Sequence, residues 1–322
     1  MTQNEIIVLH KEDQEIINQS ALEDMTKFYL EKSLSLSTRK FYAIDFKLFS
    51  NFCIGLGLEY LPANPETVAK FIAYQANKGK RPSTLERRLA AIKLVHETHG
   101  YSSPTLNKVV RIVMRGIKRD KGSWQNKKAP ATADRIQMMT SYCSDTLKGL
   151  RDKALLLLGF GGAFRRSELV SLTTKDIEYT PEGIKVTVRK SKTDQEGKGQ
   201  VVAILNGSRF RIVDALNKWL EYANIKEGHI FRHIRKGGNI QPLGLTSRSV
   251  AIIVKFYAEK AGLTVNDFSG HSLRSGFITS GAAAGADLFK LMEVSRHKKP
   301  ETVIGYVRES KLFENHAGEK FL

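Results

Sequence analysis

The chain has 322 residues, of which 41% are hydrophobic and 26% charged, and its formal net charge at pH 7 is +18. This length favours two domains with separate cores, and the positive charge indicates a polyanionic partner: DNA, RNA or an anionic membrane surface. The apolar run 154–164 is shorter than the roughly 20 residues that span a bilayer, and residues 1–10 lack a secretory signal, so we expect a soluble cytoplasmic protein without a membrane partner.

The N-terminal third predicts a small helical bundle behind a polar arm. Residues 1–20 are polar and of mixed charge, which predicts a loosely held arm. Between residues 21 and 118 we predict four helices: one capped by Ser37-Thr38 and stopped by Gly55, then helices opened by 64–66, by 82–84 and by Pro104. The first helix carries a stripe that we expect to be buried: Phe41, Ile44, Phe46, Leu48, Phe49 and Phe52. Four amphipathic helices of this length form a bundle.

The remainder predicts a linker and a mixed α/β domain. Residues 119–132 lack apolar periodicity and are rich in Lys, Gly, Ser and Pro, as in a linker. The domain at 133–322 is predicted to contain helices at 133–147, 150–160, 210–223, 247–260, 271–284, 288–294 and 302–306, and strands at 183–190 and 199–205 joined by a polar turn. The fold class is therefore mainly α with a small β-sheet.

Basic residues are concentrated around the linker. Between Lys108 and Lys128 there are eight Lys or Arg residues and one acid, Asp120. Such a run is often a solvated helix face, but this one crosses the linker and continues the basic residues of the preceding helices. It suggests two basic domain faces around a duplex, with phosphate contacts that position the protein without reading bases. The residues predicted to bind DNA are Lys80, Arg81, Arg87, Arg88, Arg111, Arg115, Lys118, Arg119, Lys127 and Lys128.

Common metal-dependent motifs for phosphate chemistry are missing from the sequence. It has no G-x-x-x-x-G-K-[ST] loop, no H-E-x-x-H and no acidic cluster at metal spacing, so we expect neither a metal nor a cofactor. Phosphoryl transfer without a metal needs cationic side chains. Arginine suits this task because its planar fork can hold two phosphate oxygens and stays charged when partly buried.

Three short motifs supply such side chains. The apolar run 154–164 ends in Arg165-Arg166-Ser167-Glu168, where an arginine with its own carboxylate fits, although this fragment alone is more simply a salt bridge at a helix N-terminus. His271 and Arg274 follow Gly270 three positions apart, on one face of a predicted helix. His297 and Tyr306 lie nine positions apart around a polar turn.

The order of these motifs resembles the catalytic signature of the tyrosine recombinase (phage integrase) family, with its Cre-like and Xer-like members. Along the chain the motifs are G-A-F-R-R-S-E-L, a lysine in S-K-T between two strands, G-H-S-L-R, and R-H-K-K-P-E-T-V-I-G-Y. The resemblance covers the chain beyond residue 130 by motif and the N-terminal region by architecture only. It implies a core-binding helical bundle and a mixed α/β catalytic domain that form a C-shaped clamp on double-stranded DNA. The implied activity is site-specific cleavage and rejoining of DNA through a 3′-phosphotyrosine intermediate, without metal or ATP.

The resemblance also implies residue roles. Arg165 and Arg274 would hold the scissile phosphate, and Tyr306 would attack it. His271 would assist proton transfer at Tyr306, and His297 would donate to a phosphate oxygen. A free tyrosine hydroxyl, with a pKa near 10, is a weak nucleophile, so it needs proton removal and an electrophilic phosphorus, both of which a cationic pocket supplies.

Two assignments stay open between neighbours. Lys192 would be the general acid that protonates the departing 5′ oxygen, but Lys190 and Lys198 compete with it in the same turn. Arg166 stands where the family has an apolar residue, so only the spacing R-x-S-E-L selects Arg165. Glu168 matches the acidic neighbour of the first arginine and is expected to support that arginine rather than to contact DNA.

The resemblance further implies a homo-oligomer, with a dimer on each DNA site and a tetramer in synapsis, in which a tail ending at Phe321 and Leu322 docks onto a neighbouring protomer. It implies a bacterial, phage or mobile-element origin. Three alternatives differ in function: a type IB topoisomerase that relaxes DNA as a monomer, a non-catalytic DNA-binding protein on the same scaffold, and an RNA-binding protein. The last predicts aromatic platforms for bases, whereas the aromatic residues here lie along apolar faces.

Overall fold

The structure, a computed structural model, describes residues 24–26, 28–29, 33–122, 128–189, 199–310 and 318–319. The chain separates into two compact units, Met1–Gln125 and Asn126–Leu322. Helices predominate and the strands form small antiparallel sheets, so the predicted mainly α fold with a small sheet is confirmed. The finer division into arm, bundle, linker and catalytic domain stays a prediction. In the part of the chain that is described, no helix combines the length and apolar character needed to cross a membrane.

The described part of the first unit contains the helices α1 (Leu36–Ile54), α2 (Pro65–Asn77), α3 (Pro82–Thr98) and α4 (Lys108–Lys121). Side chains cap three of them, since Ser35 accepts from the backbone N–H of Thr38, Asn64 from that of Glu66, and Asn107 from that of Val109. The cap predicted at Ser37-Thr38 is therefore wrong by two residues, because Ser35 already satisfies the first turn.

The core of this unit uses a narrower face of α1 than predicted. Asp45, Phe49 and Cys53 are its buried residues, four positions apart, and Phe49 packs edge-on against Phe71 of α2 with ring centroids 5.2 Å apart. Three positions of the predicted stripe, Phe41, Ile44 and Leu48, are 50%, 56% and 40% exposed. Only one side of α1 faces the other helices, so an apolar residue outside that side stays in contact with solvent.

The described part of the second unit contains the helices α5 (Ala133–Ser141), α6 (Leu147–Gly161), α7 (Arg166–Ser171), α8 (Ile212–Tyr222), α9 (Ser247–Lys260), α10 (Ser272–Ala283), α11 (Leu288–Ser295) and α12 (Pro300–Ser310). Its strands are β1 (Ile177–Thr180), β2 (Gly183–Val188), β3 (Gln200–Leu205), β4 (Arg232–Ile234) and β5 (Ile240–Gly244). β1, β2 and β3 form one antiparallel sheet in that order, with Ile184 paired to Tyr179 and to Ile204, and β4 pairs with β5.

Several predicted boundaries in this unit need correction. The helix predicted over 133–147 ends at Ser141, because Thr146 caps a new helix by accepting from the N–H of Gly149. The predicted strand pair corresponds to β2 and β3, whereas β1, β4 and β5 were not predicted, since three to five residues carry too little alternation. The last helix extends over Pro300–Ser310 rather than 302–306.

Helix α6 forms the centre of the second core and delivers the chain to the functional residues. Leu155, Leu156, Leu157 and Leu158 are all at most 1% exposed, as in a helix that is surrounded by protein. A Cβ at Gly159 would lie 2.7 Å from a Leu273 methyl carbon, so glycine lets α10 approach closely. After α6 the chain turns through Ala163, with φ of 44°, and enters α7.

Candidate active site

Arg165 stands at the N-terminus of α7 and is held by Glu168. The backbone N–H of Arg165 donates to Glu168 Oε2 over 2.9 Å, and its guanidinium Nη1 donates to Oε1 over 2.6 Å. Glu168 is 1% exposed. Burial alone raises the pKa of this carboxyl, but Arg296 and Arg165 outweigh burial and lower the pKa, so Glu168 is ionised at neutral pH. The expected pairing of arginine and carboxylate is present.

Arg274 enters the same pocket from α10. Its side chain is 1% exposed, Nη1 donates to the carbonyl of Ala163 over 2.8 Å, and Nη2 lies 3.3 Å from Nε2 of His297. Burial, together with the charges of Arg165 and Arg296, lowers the pKa of Arg274 to about 9. Positive charges that are clustered in a buried site of low dielectric constant repel one another. The binding of an anion there is favoured, because it would relieve the repulsion among the arginines.

His297 follows α11 and is anchored by Ser295. The Ser295 hydroxyl donates to the carbonyl of Leu291 over 2.5 Å and lies 2.8 Å from Nδ1 of His297. Because that hydroxyl has one hydrogen, it accepts from Nδ1–H, and Nε2 is left to face Arg274. Burial and the nearby charges of Arg274, Arg165, His271 and Arg296 lower the pKa of His297 to about 3, so the ring is neutral at pH 7.

His271 and Tyr306 meet across two elements. Nε2 of His271 lies 3.2 Å from the phenolic oxygen of Tyr306 on α12. His271 precedes the first turn of α10, which begins at Ser272, so its predicted position inside the helix is wrong by one residue. Burial, then Arg274, Arg165 and Arg166, lower the pKa of His271. A neutral imidazole at hydrogen-bond distance can accept the phenolic proton.

A small apolar cluster fixes the helix that carries the tyrosine. Ile278 and Ala282 of α10, Leu291 of α11 and Val303 of α12 are buried together, and Tyr306 packs against them. The nucleophile candidate is therefore on a packed helix whose neighbours supply His271 and Arg274. The structure thus brings together five of the predicted catalytic residues: Arg165, His271, Arg274, His297 and Tyr306.

Several predicted residues lie outside the described part of the chain. They are Lys192, its competitors Lys190 and Lys198, the DNA-contact candidate Lys127, and the tail residues Phe321 and Leu322. Conversely, one buried residue of the pocket, Arg296, was not predicted. The only sequence signal for it was its position next to His297 in R-H-K-K-P.

The basic residues of the first unit fall into exposed and buried groups. Arg111, Arg115 and Arg119 repeat every four residues along the exposed side of α4, opposite its buried residues Val110, Met114 and Ile117, and Lys80 and Arg81 are also exposed. Lys118 pairs with Glu86 over 2.5 Å, and in the second unit Lys128 donates to the carbonyl of Asn266 over 2.5 Å.

Arg88 does not belong with the DNA-contact candidates. It is 5% exposed, its Nη1 donates to Gln75 Oε1 over 2.5 Å, and its Nε lies 3.5 Å from Asp45. The prediction that it contacts DNA is wrong, because the side chain is part of the buried core of its unit. Its neighbour Arg87 binds Asp45 through two hydrogen bonds of 2.7 and 3.1 Å and stays partly exposed.

Comparison with known proteins identifies the class. Residues 131–312 match the phage integrase family. An integrase/recombinase XerD homolog from Selenomonas ruminantium is 40% identical over 308 residues, covering 94% of this chain and 90% of that protein. The recombinase Cre of Escherichia phage P1 is 23% identical, covering 78% of this chain and 77% of Cre.

Solved structures share the fold at low sequence identity. The Tn1549 transposon integrase in complex with transposon right end DNA has a TM-score of 0.63 at 15% identity, covering 88% of this chain and 92% of that one. A lambda integrase dimer bound to a core site has a TM-score of 0.59 at 15% identity, covering 90% and 95%. The chain belongs to the phage integrase family.

Membership in this family confirms the predicted enzyme class. The named relatives are recombinases and integrases, which supports DNA strand cleavage and rejoining rather than the topoisomerase alternative.

Proposed function

We propose that Tyr306 attacks a DNA phosphate held by Arg165 and Arg274, and that the enzyme thereby cuts and rejoins DNA at a specific site. The observation that carries this proposal is the 3.2 Å contact between Tyr306 and His271 at the edge of a pocket with buried arginines. Neither group needs to move far to transfer the proton, and the arginine donors are already oriented.

The first step replaces one phosphate ester by another. The phenolic proton of Tyr306 passes to Nε2 of His271 as the phenolic oxygen bonds to phosphorus. The bond from phosphorus to the 5′ oxygen breaks, and that oxygen takes a proton from a general acid, the role assigned to Lys192. Rejoining is the reverse reaction with another 5′ hydroxyl, so the number of phosphodiester bonds is conserved and no ATP is consumed.

The pocket stabilises the charge that develops on the phosphate. Arg165 and Arg274 can each offer a guanidinium N–H to the equatorial oxygens, and these donors are held before the substrate arrives. A preorganised donor of this kind contributes about 3 to 4 kcal/mol to the transition state, so its loss typically slows the reaction by about a hundredfold to a thousandfold. As a phosphate approaches, its charge opposes that of the arginines, which favours protonation of His297 and donation from its ring.

The choice of Arg165 over Arg166 is supported by how the two side chains are held. Arg165 is bound by Glu168 and its side chain is 17% exposed, whereas Arg166 is exposed and its aliphatic part lies against Gly270. A phosphate ligand gains most from a fixed, partly desolvated donor, which describes Arg165.

The partner in this proposal is double-stranded DNA, bound as a dimer on each site and as a tetramer in synapsis. The DNA complexes of the Tn1549 and lambda integrases, which share the fold, support DNA as the partner. The lambda integrase dimer on its core site supports the dimer.

The decisive experiment begins with a DNA site. The Tyr306→Phe protein would select duplexes from a random-sequence pool, and the selected duplex would be rebuilt with a nick that traps cleaved DNA. We expect wild type to form a covalent adduct on a denaturing gel in the presence of EDTA and without ATP, and Tyr306→Phe to form none. Tight binding of that duplex by wild type without any adduct would leave only the non-catalytic DNA-binding alternative.

A further inference from the structure

Arg296 occupies an unusual backbone position at the end of α11. Its φ and ψ angles are 57° and 40°, in the left-handed region that glycine adopts at least cost. The side chain is nevertheless long, charged and 5% exposed. The left-handed backbone conformation and the burial of a charged side chain both cost free energy. The contacts of the Arg296 side chain must therefore offset these two costs.

Those contacts are numerous. Nη1 of Arg296 donates to the carbonyls of Gly162 over 2.9 Å and Val294 over 2.7 Å. Nη2 donates to the carbonyl of Ala163 over 3.0 Å and to Glu168 Oε2 over 2.9 Å. The planar fork therefore joins the end of α11 to the end of α6 and the start of α7, two neighbouring segments that lie 128 to 134 residues earlier in the chain.

Each of these segments also supports a residue of the pocket. The carbonyl of Ala163 accepts from Arg274 over 2.8 Å, and Glu168 holds Arg165 over 2.6 Å. The carbonyl of Arg296 itself lies 3.5 Å from Nη2 of Arg165, and His297 is the next residue in the chain. One buried side chain thus touches the supports of Arg165, Arg274 and His297.

The cluster of Arg165, Arg296 and Glu168 carries two positive charges and one negative charge. Glu168 is the carboxylate bound by both Arg165 and Arg296, so it neutralises only one of them. Without Arg296, the carboxylate and Arg165 would form a closed ion pair, and Arg165 would offer less attraction to a phosphate.

We propose that Arg296 is a positioning residue that aligns Arg165, Arg274 and His297 for phosphate binding. This inference rests on the proposed function, in which those three residues hold the scissile phosphate. Arg296 does not contact the phosphate itself. It acts through Glu168, through the carbonyl of Ala163 and through the backbone that leads to His297.

The test compares three variants of the full chain on the selected nicked duplex. Arg296→Gly removes the side chain and relaxes the backbone, and Arg296→Lys keeps a positive charge but loses the fork. Arg211→Gly is the matched control, because Arg211 also has a left-handed φ, 49°, and its exposed side chain pairs with Asp214 in the first turn of α8. Single-turnover cleavage is measured at saturating protein, and the Kd for the duplex is measured in the Tyr306→Phe background.

We expect Arg296→Gly to lower the cleavage rate constant roughly tenfold to hundredfold with little change in Kd, because misplacement of the phosphate ligands raises the barrier more than it weakens binding. Arg296→Lys should also be slowed, and Arg211→Gly should cleave like wild type. A purely structural role would instead lower the Tm and the amplitude of cleavage while the rate constant stayed at its wild-type value, which would overturn the proposal.

The denaturing gel that detects the covalent adduct also distinguishes a failure of the proposed function from a failure of the positioning role alone. If wild type forms no adduct, the proposed function is wrong and the role of Arg296 falls with it. If wild type cleaves and Arg296→Gly cleaves at the same rate, only the positioning role is wrong. Should Arg296→Gly fail to unfold cooperatively, Arg296→Lys decides by the same rate constant.

Discussion

At the residue scale, the pocket is defined by cations that lower one another's affinity for protons. Arg274 and His297 both have lowered pKa values, of about 9 and about 3, first because of burial and then because of neighbouring arginines. The two histidines are therefore neutral while the arginines supply the charge. Proton acceptance at Tyr306 and phosphate binding are thus assigned to different side chains.

This arrangement makes the stability of the fold depend on pH. The folded pKa of His297, about 3, lies below its ordinary value of 6.5, so between these values the unfolded chain binds a proton that the folded chain does not. The free energy of unfolding therefore falls as pH decreases below 6.5. The ring is partly exposed and solvent screens its charge, so this fall is at most about 1 kcal/mol per pH unit. His271 contributes in the same direction.

We predict that His297→Asn reduces the loss of stability between pH 7.5 and pH 5, because the ring that must be kept neutral is absent. The measurement is the Tm by differential scanning calorimetry across that range. His233→Asn, a change at an exposed position on β4, is the control and should keep the wild-type pH dependence. An equal fall in Tm for wild type and His297→Asn would show that this histidine is not held neutral by the fold.

At the element scale, the accuracy of the sequence predictions followed the strength of each local pattern. The run of leucines in α6 and the motif around Tyr306 on α12 were recognisable because apolar spacing and residue order are properties of the chain itself. The short strands β1, β4 and β5 were missed, since their pairing partners rather than their own residues make them strands. Arg296 was missed for a related reason: its contacts with Gly162 and Glu168 exist only after three segments have packed.

A close backbone contact ties the start of the second unit to α10. An ideal Cβ at Gly276 would lie 1.9 Å from the carbonyl oxygen of Ala131, a backbone atom. The segment cannot easily move away, because the N–H of Ala131 donates to the carbonyl of Ser272 over 2.8 Å and that of Ala133 donates to the Ser280 hydroxyl over 2.8 Å. Glycine therefore permits the packing of the helix that follows His271 and carries Arg274.

We predict that Gly276→Ala lowers the free energy of unfolding by about 1 to 3 kcal/mol or more, since the added methyl group must displace backbone. The matched control is Gly116→Ala in α4, where a Cβ meets no atom within 4 Å beyond the adjacent backbone of its own helix, and alanine should stabilise the helix by up to about 1 kcal/mol. Urea unfolding, followed by circular dichroism, measures both changes. Wild-type stability in Gly276→Ala would mean that the segment around Ala131 can shift freely.

At the scale of the whole molecule, the net charge of +18 matters through its distribution. Some basic side chains are already paired inside the protein, such as Arg87 with Asp45 and Lys118 with Glu86. Arg88 is withdrawn into a core. The exposed arginines of α4 differ, because Arg111, Arg115 and Arg119 form one stripe on a helix whose other side is buried. This stripe is the strongest candidate in the first unit for contacts with a phosphate backbone.

We predict that the double change Arg111→Ala and Arg115→Ala weakens DNA binding similarly on the selected duplex and on a random duplex, because phosphate contacts carry no sequence information. Each lost contact releases about 0.9 fewer counterions, so the slope of log Kd against log salt concentration should fall by about 2 in magnitude. The Tyr306→Phe protein would be titrated by fluorescence anisotropy at several salt concentrations. Lys40→Ala with Lys47→Ala, two exposed cations on α1, is the charge-matched control and should change the slope less. If both double variants reduce the slope equally, binding responds to net charge alone, and the stripe on α4 is not a phosphate-binding surface.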